Sequence, residues 1–224
     1  MDQLLRQLQQ IKWIDITRTL GRDNLDYPQD DPVEMERVMD RDRGDVGNST
    51  RLYMSAHAGT HMDAPAHFVA GGSFLEEIVP QRFILEASVV EIAGDEITAK
   101  ELRKYSWNPG QAVLFKTANA DLPRDRFCND YVALEPAAAE YLVQQEVGIA
   151  GIDYLSVDAY RPPAEGDTPG SLVPVHEILL QTGCLILEDV NLAGVEPGRY
   201  LLVCLPLKYY RSDGAPCRCL LGAL

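Results

Sequence analysis

The apolar residues of this chain come in runs no longer than a β-strand, the longest from Tyr200 to Leu207, and these runs alternate with segments of helical composition. A chain patterned this way buries itself as a sheet covered by helices, not as a bundle or a pure β sandwich. Strands are predicted at Trp13–Thr17, Arg51–Ala56, Leu85–Ile92, Ala112–Thr117, Ile149–Tyr154, Cys184–Glu188, Tyr200–Leu207 and Cys217–Leu221. In the Arg51 segment, Leu52, Met54 and Ala56 alternate as in a half-buried strand. Helices are predicted at Leu4–Ile11, Thr98–Ser106 with Thr98 as cap, Glu135–Val147 with Pro136 in its first turn, and Leu172–Thr182 ending at Gly183. The proline- and glycine-rich stretch Asp158–Ser171 reads as a loop. The class is α/β, a mixed sheet flanked by helices, and no break in composition divides residues 1–224 into two domains.

Thirty-four acidic residues against 20 basic ones give a net charge of −14, which repels a phosphate backbone and argues against a nucleic-acid partner. No apolar run approaches the roughly 20 residues of a membrane span, and the amino terminus lacks the apolar core of a secretory signal. A cytoplasmic protein with no membrane partner is expected. The five cysteines are odd in number and have no Cys-x-x-Cys spacing, a poor basis for disulfides or a structural zinc site. Cys217 and Cys219 share one face of a strand and read as buried small side chains.

Three of the four histidines fall within eleven residues, in His57-Ala-Gly-Thr-His61-Met-Asp63-Ala-Pro-Ala-His67. Small neighbours leave room around these polar groups, Gly59 permits a positive φ, and Pro65 stiffens the exit. Imidazole nitrogen and carboxylate oxygen are the donors of a catalytic zinc or manganese site. His57, His61 and Asp63 are candidate ligands on a loop at the end of the Arg51 strand, with positions left for water or substrate. His67 is then free to act as acid or base, titrating near pH 6.5.

The fourth histidine, His176, sits near the start of a helix, and Glu188 ends the strand that follows. About 10 Å of helix and about 13 Å of strand, reversed at Gly183, return the two residues to one edge of the fold. They form a candidate second half-site.

The run His57-x-Gly59-Thr60-His61-x-Asp63-x-Pro65-x-His67 resembles the HxGTHxDxPxH signature of the metal-dependent cyclase-like hydrolases, the family of bacterial kynurenine formamidase and isatin hydrolase. The likeness extends to Trp13–Thr17, to Gly151–Asp153 with Ser156 and Asp158, to His176 with Glu188, and to Leu205–Lys208 through Asp213–Pro216. It implies a β/β/α fold, a homo-oligomer (dimer or tetramer), and one or two divalent ions per subunit. By that likeness His57, His61 and Asp63 bind one metal, Asp63, His176 and Glu188 bind a second, and His67 moves the proton. Where kynurenine formamidases carry tryptophan before a Pro-Gly-Asp turn, this chain has Tyr27-Pro28-Gln29-Asp30, so Tyr27 is a candidate substrate contact.

The expected activity is hydrolysis of a C–N bond in an amide, aryl formamide or cyclic amide of small size. No Gly-x-Ser-x-Gly elbow offers a serine nucleophile instead. A cyclase or lyase on a small carbonyl compound would use the same metal residues. A non-catalytic metal-dependent binding protein would need no His67.

Overall fold

Along one strand, Ala112 and Leu114 face one core while Val113 and Phe115 face another, and all four are buried. This double burial requires a sheet covered on both sides. The computed structural model describes residues 2–23, 25–28 and 30–223. In chain order the strands are β1 (Trp13–Asp15), β2 (Glu34–Met39), β3 (Ser49–Tyr53), β4 (His61–Asp63), β5 (Ile84–Glu91) and β6 (Ala112–Lys116). They continue with β7 (Ile149–Ile152), β8 (Leu185–Glu188), β9 (Gly198–Pro206) and β10 (Gly214–Ala223). The helices are α1 (Asp2–Gln10), α2 (Ala99–Leu102), α3 (Pro136–Gln144), α4 (Pro169–Leu172) and α5 (Pro174–Gln181).

The main sheet runs β1-β10-β4-β8-β7-β6-β5-β9, and β9 pairs back onto β10, closing a barrel. Strands β5 to β8 are parallel, and the remaining pairs are antiparallel. Parallel neighbours need crossover connections, which α2, α3 and α5 supply. Met62, Leu114, Leu187, Leu202 and Cys219 belong to the core enclosed by the barrel. Val113, Phe115, Ile152 and Ile186 pack outward against Ala138, Ala139 and Leu142 of α3 and Val175, Leu179 and Leu180 of α5. Cys217 and Cys219 are both buried in the barrel core with sulfurs 3.2 Å apart, in keeping with their reading as small core side chains.

Several boundaries differ from the sequence reading. The Arg51 strand is shifted: β3 ends at Tyr53, is exposed along its length and among the described residues pairs only with β2, while Met54 and Ala56 lie beyond it and are partly buried. Alternation within a ribbon that no layer covers mimics the pattern of a sheet strand. His61 and Asp63 lie on β4, a strand inside the sheet, rather than on a loop. The Thr98 helix is a single turn; Thr98 does cap it, its Oγ1 accepting from Glu101 N at 3.2 Å. The Leu172 helix begins at Pro174, and α4 forms a short turn of helix inside the segment expected to be loop.

Strand alternation sets where the polar residues go. On β4 Met62 points into the barrel, so His61 and Asp63 point out of it; on β8 Leu187 points in and Glu188 out. The antiparallel register places His61 directly opposite Glu188. The start of α5 brings His176 over the same patch.

Candidate active site

Five residues proposed from sequence converge here. His57 Nδ1 lies 2.8 Å from Asp63 Oδ1, and His61 Nε2 lies 3.2 Å from the same oxygen. His61 Nε2 is also 3.5 Å from Glu188 Oε2. His176 Nε2 is 3.3 Å from Glu188 Oε1 and 3.5 Å from Asp63 Oδ2. In each of two groups, His57–His61–Asp63 and Asp63–His176–Glu188, one ligand atom per residue lies within 4.8 Å of all the others. Asp63 belongs to both, as a residue bridging two ions would. Asp63 is fully buried, and its Oδ2 has no hydrogen-bond partner among the described residues. A buried carboxylate with one oxygen outside any hydrogen bond, His176 Nε2 at 3.5 Å from it and two more imidazole nitrogens against its other oxygen suits cation coordination. The donor set fits a divalent metal.

Outer contacts aim the ligands. His61 Nδ1 is 2.8 Å from the carbonyl of Gly59, and His176 Nδ1 is 2.6 Å from Asp158 Oδ2, which turns both Nε2 atoms toward the carboxylates. Asp158 also accepts from the backbone N–H of Val175 and His176 at 2.9 and 3.0 Å, so one side chain caps α5 and orients its histidine. Gly59 has φ 62°, which suits glycine. Gly214 is required by packing: a Cβ there would come within 2.5 Å of the His57 ring.

His67 sits beside this cluster. Its ring stacks on His57 at 3.9 Å between centroids, and its Nδ1 lies 3.2 Å from Asp213 Oδ2. The same oxygen is 3.0 Å from His57 Nε2, so Asp213 joins the two rings, and His57, His67 and Asp213 form a third group of possible ligands. Asp158 and Asp213 were assigned no role from sequence, although both lie in segments carrying the family likeness.

Charge separates the histidines. Burial lowers the pKa of His57, but the carboxylates of Asp63 and Asp213 override it and push it up to about 10. Burial likewise opposes charge on His61 and His176, yet both are raised, His61 chiefly by Asp63 and His176 by Asp158, Asp63 and Glu188. His67 goes the other way: burial, with the positive charges of His57 and His176, lowers it to about 4. It is therefore neutral at pH 7, well below the ordinary value expected from sequence. Without metal the raised pKa values favour protonated rings, and a metal must displace those protons to bind. Apparent metal affinity is expected to rise steadily with pH from about 6 to 9, with protons released on binding. Calorimetry in buffers of different ionisation enthalpy checks this, and a pH-independent affinity would contradict it.

The cluster floors a cleft of about 370 Å³ whose walls include Tyr27, Pro28, Asp30, Phe68, Leu155 and Val173. Tyr27 is half-buried and packs edge-on against Phe127 at 5.4 Å and Tyr160 at 6.1 Å, so it lines the cleft instead of standing free on the surface. Burial, with the charge of Glu188, raises its hydroxyl to about 12. Gln29 of the same turn lies outside the described residues.

The Putative cyclase family model matches residues 14–159, from β1 through the signature to the segment holding Asp158. The chain belongs to the cyclase family. Kynurenine formamidase of Salinibacter ruber is 31% identical over 211 residues, covering 93% of this chain and 96% of that protein. A solved structure described as a potential metal-dependent hydrolase with cyclase activity superposes with a TM-score of 0.78 at 30% identity, covering 95% of this chain and 98% of the other. Isatin hydrolase A of Labrenzia aggregata, solved with benzyl benzoate bound, shares the fold at a TM-score of 0.84 and 23% identity, covering 99% of this chain and 98% of its own. The family fold is thus present over nearly the whole chain.

Proposed function

We propose that this metal-dependent amide hydrolase acts on an aryl formamide or a cyclic aryl amide, with zinc or manganese as its resident metal. The observation that carries this reading is the buried Asp63, whose Oδ2 makes no hydrogen bond among the described residues, set among His57, His61, His176 and Glu188, which line a cleft with aromatic walls. Nitrogen and oxygen donors without thiolate suit either metal, and the sharing of Asp63 between two ligand groups favours two ions per subunit over one. A divalent metal, when bound, acidifies water toward neutral pH and polarises a carbonyl.

The protein's own groups do the rest. His67, neutral and held by Asp213 and the His57 ring, accepts a proton from the attacking water. The water oxygen bonds to the amide carbon, the C–N bond breaks, and His67 returns the proton to the departing nitrogen. Tyr27 and Phe68 hold the aryl part and keep bulk water away from it. Tyr27→Ala is expected to raise KM for an aryl formamide several-fold with little change in kcat, because the contact is equal in ground and transition states, and to leave metal content unchanged. Steady-state kinetics decide it, and unchanged KM would remove Tyr27 from the substrate's path.

The reading extends to assembly and place. A two-stranded ribbon is marginal in water alone, and β2–β3 leaves Met35, Leu52 and Tyr53 at least half exposed. These features support a homo-oligomer, dimer or tetramer, that covers the ribbon; a monomer mass by light scattering at micromolar concentration would contradict it. Among the described residues no helix is long and apolar enough to cross a membrane. That feature and the net charge of −14 support a cytoplasmic enzyme whose partners are small molecules, not nucleic acid or membrane.

A further inference from the structure

Glu188 ends β8, and the residue after it is held in an uncommon way. Asp189 is fully buried, and its backbone is left-handed at φ 51°, a conformation that aspartate tolerates better than most residues. Its N–H donates to the carbonyl of Tyr154 at 2.8 Å, and its carbonyl accepts from Thr60 Oγ1 at 2.7 Å. Thr60 in turn accepts from the backbone N–H of Arg18 at 2.8 Å and immediately precedes His61. The Asp189 carboxylate receives one Arg124 nitrogen at 2.8 and 2.7 Å, and Arg18 Nε lies 3.6 Å away.

Arg124 reaches in a second direction. Its Nε donates to the carbonyl of Asp23 at 3.3 Å, in the segment that leads to Tyr27. Three residues beyond Arg124, Phe127 packs edge-on against Tyr27. One guanidinium therefore touches both the strand end carrying Glu188 and the chain carrying the cleft wall.

We infer that Arg124 and Asp189 are positioning residues, whose part-buried ion pair sets the Glu188 carboxylate against His61 and His176 and fixes the Tyr27 wall beside it. The inference rests on the metal-centre reading above. Stability alone is a weak reason for such a pair, because the cost of taking the fully buried Asp189 charge out of water offsets much of its attraction to Arg124. Its place next to a ligand residue, at a left-handed turn, accounts for it better. Outer contacts to metal ligands typically govern affinity by about 10- to 100-fold.

The test measures the zinc or manganese dissociation constant by competition with a chelator, together with the thermal midpoint of the metal-free protein. Asp189→Asn keeps size and tolerance of the left-handed turn while removing the charge. Arg124→Met removes the pair from the other side, and Arg124→Lys keeps the charge without the fork. Arg82→Met is the control, since it loses two 2.9 Å bonds to the carbonyls of Gly148 and Gly183. Asp189→Asn and Arg124→Met should each weaken metal binding about 10-fold, Arg124→Lys less, and the double variant no more than the worse single one. The control should lower the thermal midpoint and leave metal affinity alone. Variants that melt lower but bind metal as the wild type does would overturn the inference and leave the metal centre intact. If Asp189→Asn does not fold, the Arg124→Lys affinity decides in the same way. A wild-type protein that takes up no metal would overturn the metal-centre reading and this inference with it.

Discussion

Asp63→Asn is expected to purify without metal and to lose turnover to background. The carboxylate is the member common to both ligand groups, is fully buried, and offers an oxygen that no described residue satisfies. An amide oxygen in its place carries no charge to hold a dication, and its nitrogen would face the His57 or His176 ring. The loss should exceed the roughly 10- to 100-fold that outer contacts produce. Heat stability supplies a second readout. Metal at 100 times its dissociation constant stabilises a protein by about 2.7 kcal/mol, so chelation should lower the melting point of the wild type and leave that of the variant unmoved. Full stoichiometric metal in Asp63→Asn, by elemental analysis, would mean that the ion sits elsewhere.

His67→Ala is expected to keep its metal and its fold while losing roughly 10²–10⁴-fold in kcat. His67 lies outside the two groups built on Asp63, and its nearest polar partner is Asp213 Oδ2 at 3.2 Å. In the metal-free protein its imidazole is already unprotonated in the neutral range. Loss of metal in this variant would assign His67 to the ligand group it forms with His57 and Asp213. Undiminished turnover would end its role in proton transfer.

The fold class and the five converging ligand candidates were legible in the sequence for different reasons. Strands buried on both faces, such as β6 and β8, show as short apolar runs whatever their partners. The pairing of His176 with Glu188 followed from helix and strand lengths, and the two atoms lie 3.3 Å apart. β4 escaped because three residues, two of them polar, carry no periodicity; its strand character comes from β8 and β10 on either side. β3 misled in the opposite sense, since alternation reports a strand but not what covers it. Asp213 acts on a histidine 146 residues away, and Asp158 works through a helix it also caps. Arg124 joins Asp189 across 65 residues at a backbone turn that no local pattern announces. Such contacts arise from tertiary closure, so residue type alone could not assign them.

The claim that water supplied by this centre breaks an amide C–N bond meets its most direct test in isotope-labelled solvent. The metal-loaded enzyme, given an aryl formamide in heavy-oxygen water, should release the free aryl amine and formate carrying one solvent oxygen, with no turnover after chelation and full recovery when metal is restored. Turnover of a carbonyl substrate to a product with no solvent oxygen would make the protein a cyclase or lyase and contradict the account.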